Sequence, residues 1–147
     1  MASRRRPVRG VLVDAGPLIA LLEPTDRHHA RCVAALKEMT EPLLTVWPAF
    51  TEAMYLLRGS DRSQDALWSM VETGGLDFAR LTSDDAPEMR ELMRVYRDQP
   101  MDLADAALVA VAEREGLRQI FTLDRRHFEV YRIGKRGRFK IFPRSNH

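Results

Sequence analysis

Short apolar runs alternate along this chain with stretches in which apolar residues recur every three or four positions. The runs predict buried strands at Val11–Val13, Leu43–Val46, Leu76–Leu81, Gln119–Leu123 and Phe139–Phe142. The helical spacing predicts helices at Leu18–Leu22, Arg27–Met39, the segment that Pro48 opens, Ser63–Thr73, Ser83–Tyr96 and Asp102–Glu115. Because strands alternate with helices, the pattern predicts an α/β fold with a mainly parallel central sheet.

Four acidic residues stand at one end of these predicted elements. Asp14 and Asp124 each follow a strand directly. Glu52 lies about one turn into the helix after the second strand, and Asp105 lies in the first turn of the helix before the fourth. The carboxyl ends of parallel strands share one edge of a sheet, so all four acids are expected to meet there.

Gathered carboxylates repel each other, by roughly 4 kcal/mol for two unit charges ~4 Å apart at an effective dielectric near 20. Oxygen ligands of this kind suit Mg²⁺ or Mn²⁺, and we expect one of these ions as the cofactor. Asp102 shares a helix side with Asp105 and is a candidate fifth ligand. Capping of the helix start is the other explanation for Asp102, and for that residue alone it is the better one.

The bulk properties describe an ordinary globular chain. Its 147 residues, 45% of them hydrophobic, predict one domain, with 1–8 and 143–147 as flexible tails. The single cysteine, Cys32, excludes an intrachain disulfide and favours a cytoplasmic location. Apolar runs are too short for a membrane span, and Asp14 interrupts the run that a signal peptide needs after the arginines near the start.

Basic residues concentrate near both ends although the net charge is only +2. Such segregation suits a phosphate backbone, and Arg125 and Arg126, directly after Asp124, are the best-placed candidates to hold RNA. Solvated tails explain the same charges equally well. We expect His127 to be a solvated loop residue, and Trp47 and Trp68 to belong to the core.

Four segments resemble, in order, the acidic elements of the PIN-domain ribonucleases. These segments are Val11–Leu22 around Asp14, Pro48–Leu57 around Glu52, Met101–Ala110 around Asp105 and Phe121–Asp124. No segment is decisive alone, but the ordered set is specific and covers nearly the whole chain. By size, the chain is most similar to the VapC-like toxins of toxin–antitoxin pairs. One departure is Ala15, since many relatives carry Ser or Thr after the first Asp.

The resemblance implies a three-layer α/β/α sandwich and a Mg²⁺- or Mn²⁺-dependent endoribonuclease. It assigns metal binding and catalysis to Asp14, Glu52, Asp105 and Asp124, with Asp102 as an auxiliary ligand. The Thr122 hydroxyl is expected to assist at the site. If the chain is a toxin, an antitoxin protein should cover the acidic edge, and the toxin should form a homodimer.

Two other functions are compatible with parts of this acidic pattern. A haloacid-dehalogenase-like phosphatase also begins with a strand that ends in Asp, but its chemistry needs a second Asp where this chain has Gly16. A catalytically inactive PIN-like module that binds RNA or a protein partner is the remaining alternative. It ranks below the nuclease because all four acids are present.

Overall fold

A computed structural model of the protein describes residues 8–145. Its strands are β1 (Val11–Val13), β2 (Leu43–Thr45), β3 (Asp77–Phe78), β4 (Gln119–Phe121) and β5 (Lys140–Phe142). Its α-helices are α1 (Ala15–Leu22), α2 (His29–Glu38), α3 (Trp47–Leu56), α4 (Asp61–Glu72), α5 (Ala86–Val95), α6 (Leu103–Glu115) and α7 (Arg125–Val130), and a 3₁₀ turn at Ser83–Asp85 precedes α5.

The five strands form one parallel sheet in the order β3–β2–β1–β4–β5. This confirms the predicted fold class. The chain builds outward from β1 in one direction to β2 and β3, and in the other direction to β4 and β5. The strand order therefore reverses between β1 and β4, and in open parallel sheets a ligand crevice forms at such a reversal.

Two hydrophobic clusters, one on each face of the sheet, make the three layers. Successive side chains of a strand point to opposite faces. Leu12 accordingly packs with α5, α6 and Tyr131, whereas Val11 and Val13 pack with α1, α2 and α4. All three β1 side chains are fully buried, which explains why this strand is a continuous apolar run.

Two helices that begin at the carboxyl edge of the sheet, α1 and α6, have carboxylate caps. Asp14 is the N-cap of α1 and accepts a hydrogen bond from the Ala15 amide. Asp102 is the N-cap of α6 and accepts from the Asp105 amide. The capping predicted for Asp102 is thus present, and it fixes the first turn of α6 at the edge where β1 and β4 end.

Several predicted boundaries were wrong. The strand expected at Leu76–Leu81 is limited to β3, and the one expected at Gln119–Leu123 ends at Phe121. The helix expected at Ser83–Tyr96 starts as a 3₁₀ turn, because Thr82 forms a capping box with Asp85 and Pro87 then opens α5.

Of the expected tails, residues 1–7 and 146–147 lie outside the described residues. Val8 is partly buried against the core and Pro143 is buried, so the packed structure reaches both boundary positions. Within residues 8–145, no helix is long and apolar enough to span a bilayer.

Candidate active site

A hydrogen-bonded threonine connects the ends of the two central strands. The Thr122 hydroxyl donates to Asp14 Oδ2 at 3.0 Å and accepts from the Asp124 amide at 3.0 Å. Thr122 is only 1% exposed. Its position follows from the pairing of β4 with β1, in which Phe121 lies opposite Val13. The structure thus brings Asp14 and Asp124 to the same edge, as the sequence predicted.

Among the acidic residues that the structure describes, Asp105 is the most buried. It lies in the first turn of α6 and is 6% exposed. The Tyr131 hydroxyl donates to its Oδ2 at 2.8 Å. Burying a carboxylate costs free energy unless hydrogen bonds or cations compensate for the lost water, and the bond from Tyr131 supplies part of this compensation.

Asp124 is partly exposed and contacts a histidine of the following helix. His127 Nδ1 lies 2.6 Å from Asp124 Oδ2. One ligand atom each from Asp105, Asp124 and His127 can be chosen so that all lie within 4.8 Å of one another. A single cation could therefore contact this group.

Glu52 faces the same space from α3 and is exposed. A shallow cavity of about 330 Å³ opens in front of it, lined also by Asp14, Gly16 and Asp124. The cavity gives solvent, and a ligand of this size, access to the acids. Asp14, Glu52 and Asp124 therefore line one opening, and the charges of Asp14, Asp102 and Asp124 act on Asp105 nearby.

The acids influence each other's proton affinity. Burial, opposed by the hydrogen bond from Tyr131 and reinforced by the charges of Asp102, Asp14 and Asp124, raises the pKa of Asp105 to about 8. Burial is also the main cause that raises the pKa of Asp14, and the hydrogen bonds from Ala15 and Thr122 oppose it.

The pKa of Glu52 is raised as well, first by partial desolvation of its carboxylate beside the cavity and then by the charges of Asp14, Asp102 and Asp124. These raised pKa values mean that ionisation of Asp14, Glu52 and Asp105 is disfavoured in the absence of opposing charge. Among residues 8–145, none of the five acids forms an ion pair with Lys or Arg. Carboxylate donors that lack a cationic partner fit a hard divalent cation such as Mg²⁺ or Mn²⁺.

The two arginines after Asp124 differ in their surroundings. The Arg125 guanidinium donates to the carbonyls of Pro143 at 2.9 Å and Ile141 at 3.3 Å, and pairs with Glu129 at 3.2 Å. Arg126 is exposed. The predicted contact with RNA stays a prediction for both, but only Arg126 has a guanidinium free of such carbonyl contacts in the part of the chain that the structure describes.

Helix α7 was missed by the sequence reasoning, and with it Tyr131. Asp124, His127, Phe128 and Tyr131 have the i, i+3, i+4, i+7 spacing of one helix face, a signal that the basic run Arg125–Arg126 obscured. His127 was expected in a solvated loop; instead it lies on α7 and is partly buried.

The tryptophans were also placed wrongly, since Trp47 is 49% and Trp68 is 44% exposed. Trp47 stacks on Phe78 with ring centroids 3.8 Å apart. It lines an apolar groove of about 680 Å³ between α3 and the start of α6, together with Tyr55 and Leu103. Glu52 and Asp102 border this groove, so an exposed apolar surface adjoins the acids.

The profile of the PIN domain family matches residues 11–133, a span that contains all five acids. The chain belongs to the PIN domain family. This confirms the family that the four acidic segments indicated. The match ends just after Tyr131, so α7 lies within the matched residues.

Known PIN domain proteins are similar to this chain in sequence and structure. Ribonuclease VapC26 of Mycobacterium tuberculosis is 27% identical over 135 residues, which are 90% of this chain and 100% of that one. The crystal structure of VapC20 from the same organism, a sarcin–ricin loop cleaving toxin, superposes with a TM-score of 0.73 at 17% identity. It covers 80% of this chain and 92% of VapC20.

Two solved assemblies contain the same fold. A chain of a toxin–antitoxin complex from Klebsiella pneumoniae gives a TM-score of 0.64 at 19% identity, covering 82% of this chain and 92% of that one. A chain of VapBC2 from Rickettsia felis, bound to a promoter DNA fragment, gives 0.59 at 10% identity, covering 89% and 97%. At these identities the likeness concerns the fold.

Proposed function

We propose that this PIN domain protein is a divalent-metal-dependent endoribonuclease that acts as the toxin of a toxin–antitoxin pair. The observation that carries the proposal is the convergence of Asp14, Glu52, Asp105 and Asp124 at one edge of the sheet, where none of them pairs with Lys or Arg among residues 8–145. Its similarity over full length to a ribonuclease of the VapC group supports the same activity.

In this proposal the carboxylates of Asp14, Asp105 and Asp124 hold the cation, Glu52 completes the ligands from the open side, and Asp102 assists from the cap of α6. A bound divalent cation supplies Lewis acidity, which activates a water for attack on phosphorus and offsets charge on the phosphate oxygens. The protein orients its carboxylates and supplies no nucleophile of its own.

Contacts with the RNA backbone are assigned to the basic side of α7. Arg126 is exposed one turn or less from Asp124 and is the first candidate. Arg125 supports this region through its bonds to the chain end, and the Thr122 hydroxyl acts at the site through Asp14. Positive charge beside a metal centre favours a phosphate-bearing substrate.

A protein partner is proposed for the apolar groove beside the acids. Exposed Trp47, Tyr55 and Leu103 form a larger apolar surface than isolated exposed residues do, and such surfaces mark interaction sites. The similar chains in toxin–antitoxin assemblies support an antitoxin as the occupant. Homodimer formation is a further proposal, to be tested by light scattering of the purified protein.

The test is cleavage of a fluorescently labelled structured RNA by the purified protein with Mg²⁺ or Mn²⁺. We expect cleavage that EDTA abolishes and that Asp14→Asn lowers by at least about 10²-fold, a typical loss when charge stabilisation of the transition state is removed. Asparagine is also a good N-cap, so this variant should fold. Asp65→Asn, an exposed acid on α4, is the matched control and should cut as fast as the parent.

Equal cleavage by the parent and a folded Asp14→Asn variant would contradict the metal-centre assignment. If the parent binds RNA but does not cut it with either ion, the inactive PIN-like module is the correct alternative.

A further inference from the structure

Three of the candidate metal-binding carboxylates each accept a hydrogen bond from one further side chain. Thr122 donates to Asp14, His127 contacts Asp124, and Tyr131 donates to Asp105. None of these donors is Lys or Arg. The hydroxyl donors Thr122 and Tyr131 orient their carboxylates and leave the negative charge uncancelled, which is the requirement for a group that must also bind a cation.

Two of these donors come from one face of α7 and its C-cap. His127 stands three residues after Asp124, and Tyr131 stands seven after it, so both side chains turn toward the acids. Phe128, fully buried between them, anchors this face in the core. The short helix thus reaches two different acids at once, one at its own start and one on α6.

The Tyr131 ring is held on several sides. It is fully buried and makes edge-on contacts with Tyr96 and Phe128, each with ring centroids 5.1 Å apart. Because these contacts fix the ring, they also fix the position of its hydroxyl. The hydroxyl donates to Oδ2 of Asp105 at 2.8 Å. This bond fixes the orientation of the carboxylate and leaves Oδ1 as the oxygen that can bind a cation.

We propose that His127 and Tyr131 are positioning residues, which hold Asp124 and Asp105 in the orientation that binds the metal ion. This inference rests on the proposed function and adds to it two residues outside the acid set. Donors that orient metal-ligating groups contribute substantially to the site, and their removal typically costs 10- to 100-fold in metal affinity or activity.

A purely structural explanation exists for each contact. Tyr131 could merely satisfy a buried carboxylate, and His127 could merely stabilise the first turn of α7. Either explanation predicts a change in folding stability without a change in metal affinity of the folded protein. Metal affinity measured without RNA therefore separates positioning from packing.

The first experiment compares Tyr131→Phe with Tyr96→Phe. Both variants remove one tyrosine hydroxyl from the same aromatic cluster, but the Tyr96 hydroxyl accepts from the Arg132 amide and forms no hydrogen bond with an acid among residues 8–145. Mn²⁺ binding is followed by the electron paramagnetic resonance signal of free Mn²⁺. We expect the dissociation constant to rise about 10- to 100-fold in Tyr131→Phe and to stay at the parent value in Tyr96→Phe.

The second experiment uses two replacements of His127. Because His127 is partly exposed, its replacement should destabilise the fold less than replacement of the buried Tyr131 does. Asparagine carries its amide nitrogen at the same number of bonds from the backbone as Nδ1, whereas leucine carries no donor. We expect His127→Leu to weaken Mn²⁺ binding and to lower kcat more than it changes KM, and His127→Asn to restore both. A proton-transfer role of the second ring nitrogen would leave both variants equally impaired, and that result would overturn the proposal.

Parent-like Mn²⁺ affinity in folded Tyr131→Phe and His127→Leu would also overturn it, while the Asp14→Asn result would still stand for the nuclease. If the parent neither binds Mn²⁺ nor cleaves RNA, the proposed function fails and this inference fails with it.

Discussion

The hydroxyl of Thr122 donates to the carboxylate of Asp14, a residue 108 positions away in the sequence. The same hydroxyl accepts from the amide of Asp124, so one buried oxygen sets the spacing between the acids that end β1 and β4. The contact exists because β4 pairs with β1 in parallel and both strands end at the same level. It therefore reports directly on the geometry of the candidate active site.

Replacing Thr122 by valine should impair cleavage and stability together. Thr122→Val keeps the shape but leaves the Asp124 amide and one Asp14 oxygen without their partner, which costs about 1–3 kcal/mol for a buried group. Urea unfolding measures the stability. Thr45→Val is the control, because this fully buried threonine donates to a backbone carbonyl, that of Val13, instead of a carboxylate. We expect it to lose stability but to keep its cleavage rate; a similar rate loss in both would refute a specific role.

The stability of the metal-free protein should fall as the pH rises. The pKa of Asp105 is raised to about 8, well above the value of an unfolded aspartate near 3.9. The folded state therefore binds more protons than the unfolded state between these values, and the stabilisation is lost as the pH passes through the folded pKa. Unfolding by urea in EDTA at pH 5 and pH 8 measures the difference.

Asp105→Asn provides the control for this pH dependence, since it cannot ionise and should flatten the slope. Addition of Mg²⁺ at pH 8 should restore stability to the parent, by about 2.7 kcal/mol when the ion is present at 100 times its dissociation constant. A parent whose stability is the same at both pH values without metal would contradict the raised pKa of Asp105, which burial causes first and the neighbouring charges second.

Glu52→Gln should separate activity from stability. Glu52 is exposed, and the charges of Asp14, Asp102 and Asp124 act against its ionisation. Removal of its charge should lower RNA cleavage and leave the unfolding free energy equal or slightly higher, because repulsion is relieved. Asp102→Ala is the contrasting variant: it should lose about 1 kcal/mol through the missing cap of α6. A destabilised Glu52→Gln would show that the residue has a structural role.

The adjacent arginines should have opposite effects. Arg125→Ala should destabilise the protein, because its guanidinium joins α7 to the carbonyls of Ile141 and Pro143. Arg126→Ala should leave the melting temperature unchanged but weaken RNA binding. It should also reduce the slope of the logarithm of the binding constant against the logarithm of salt concentration by about 1, the value for one lost phosphate contact. Thermal melts and RNA titration at two salt concentrations measure both. Weakened RNA binding in a stable Arg125→Ala would reverse these assignments.

The central strands and the acidic positions could be predicted from sequence because burial on both faces leaves a direct pattern. Val11–Val13 is entirely apolar, and the acid that follows it stands out against that background. The same holds for Asp124 after β4. Strand β3 was overextended because Leu76 is buried by packing, outside the residues Asp77 and Phe78 that pair with β2.

The missing parts depend on tertiary contacts. Charged residues at the start of α7 concealed its apolar face, and nothing local shows that Tyr131 reaches Asp105, 26 residues earlier. Trp47 is a large aromatic residue of the type that fills cores, yet it remains 49% exposed although it contacts Phe50 and Phe78. How much of such a ring is covered depends on residues distant in the sequence, and local pattern does not show it.

The distance along the chain between the two central strands also determines when the acids can meet during synthesis. Asp14, which follows β1, is made early. Strand β4, which pairs with β1, and helix α7, which bears His127, belong to the last fifth of the given sequence. A ribosome-bound nascent chain therefore lacks the complete set of acids until Asp124 has been added, so the proposed site forms late in synthesis.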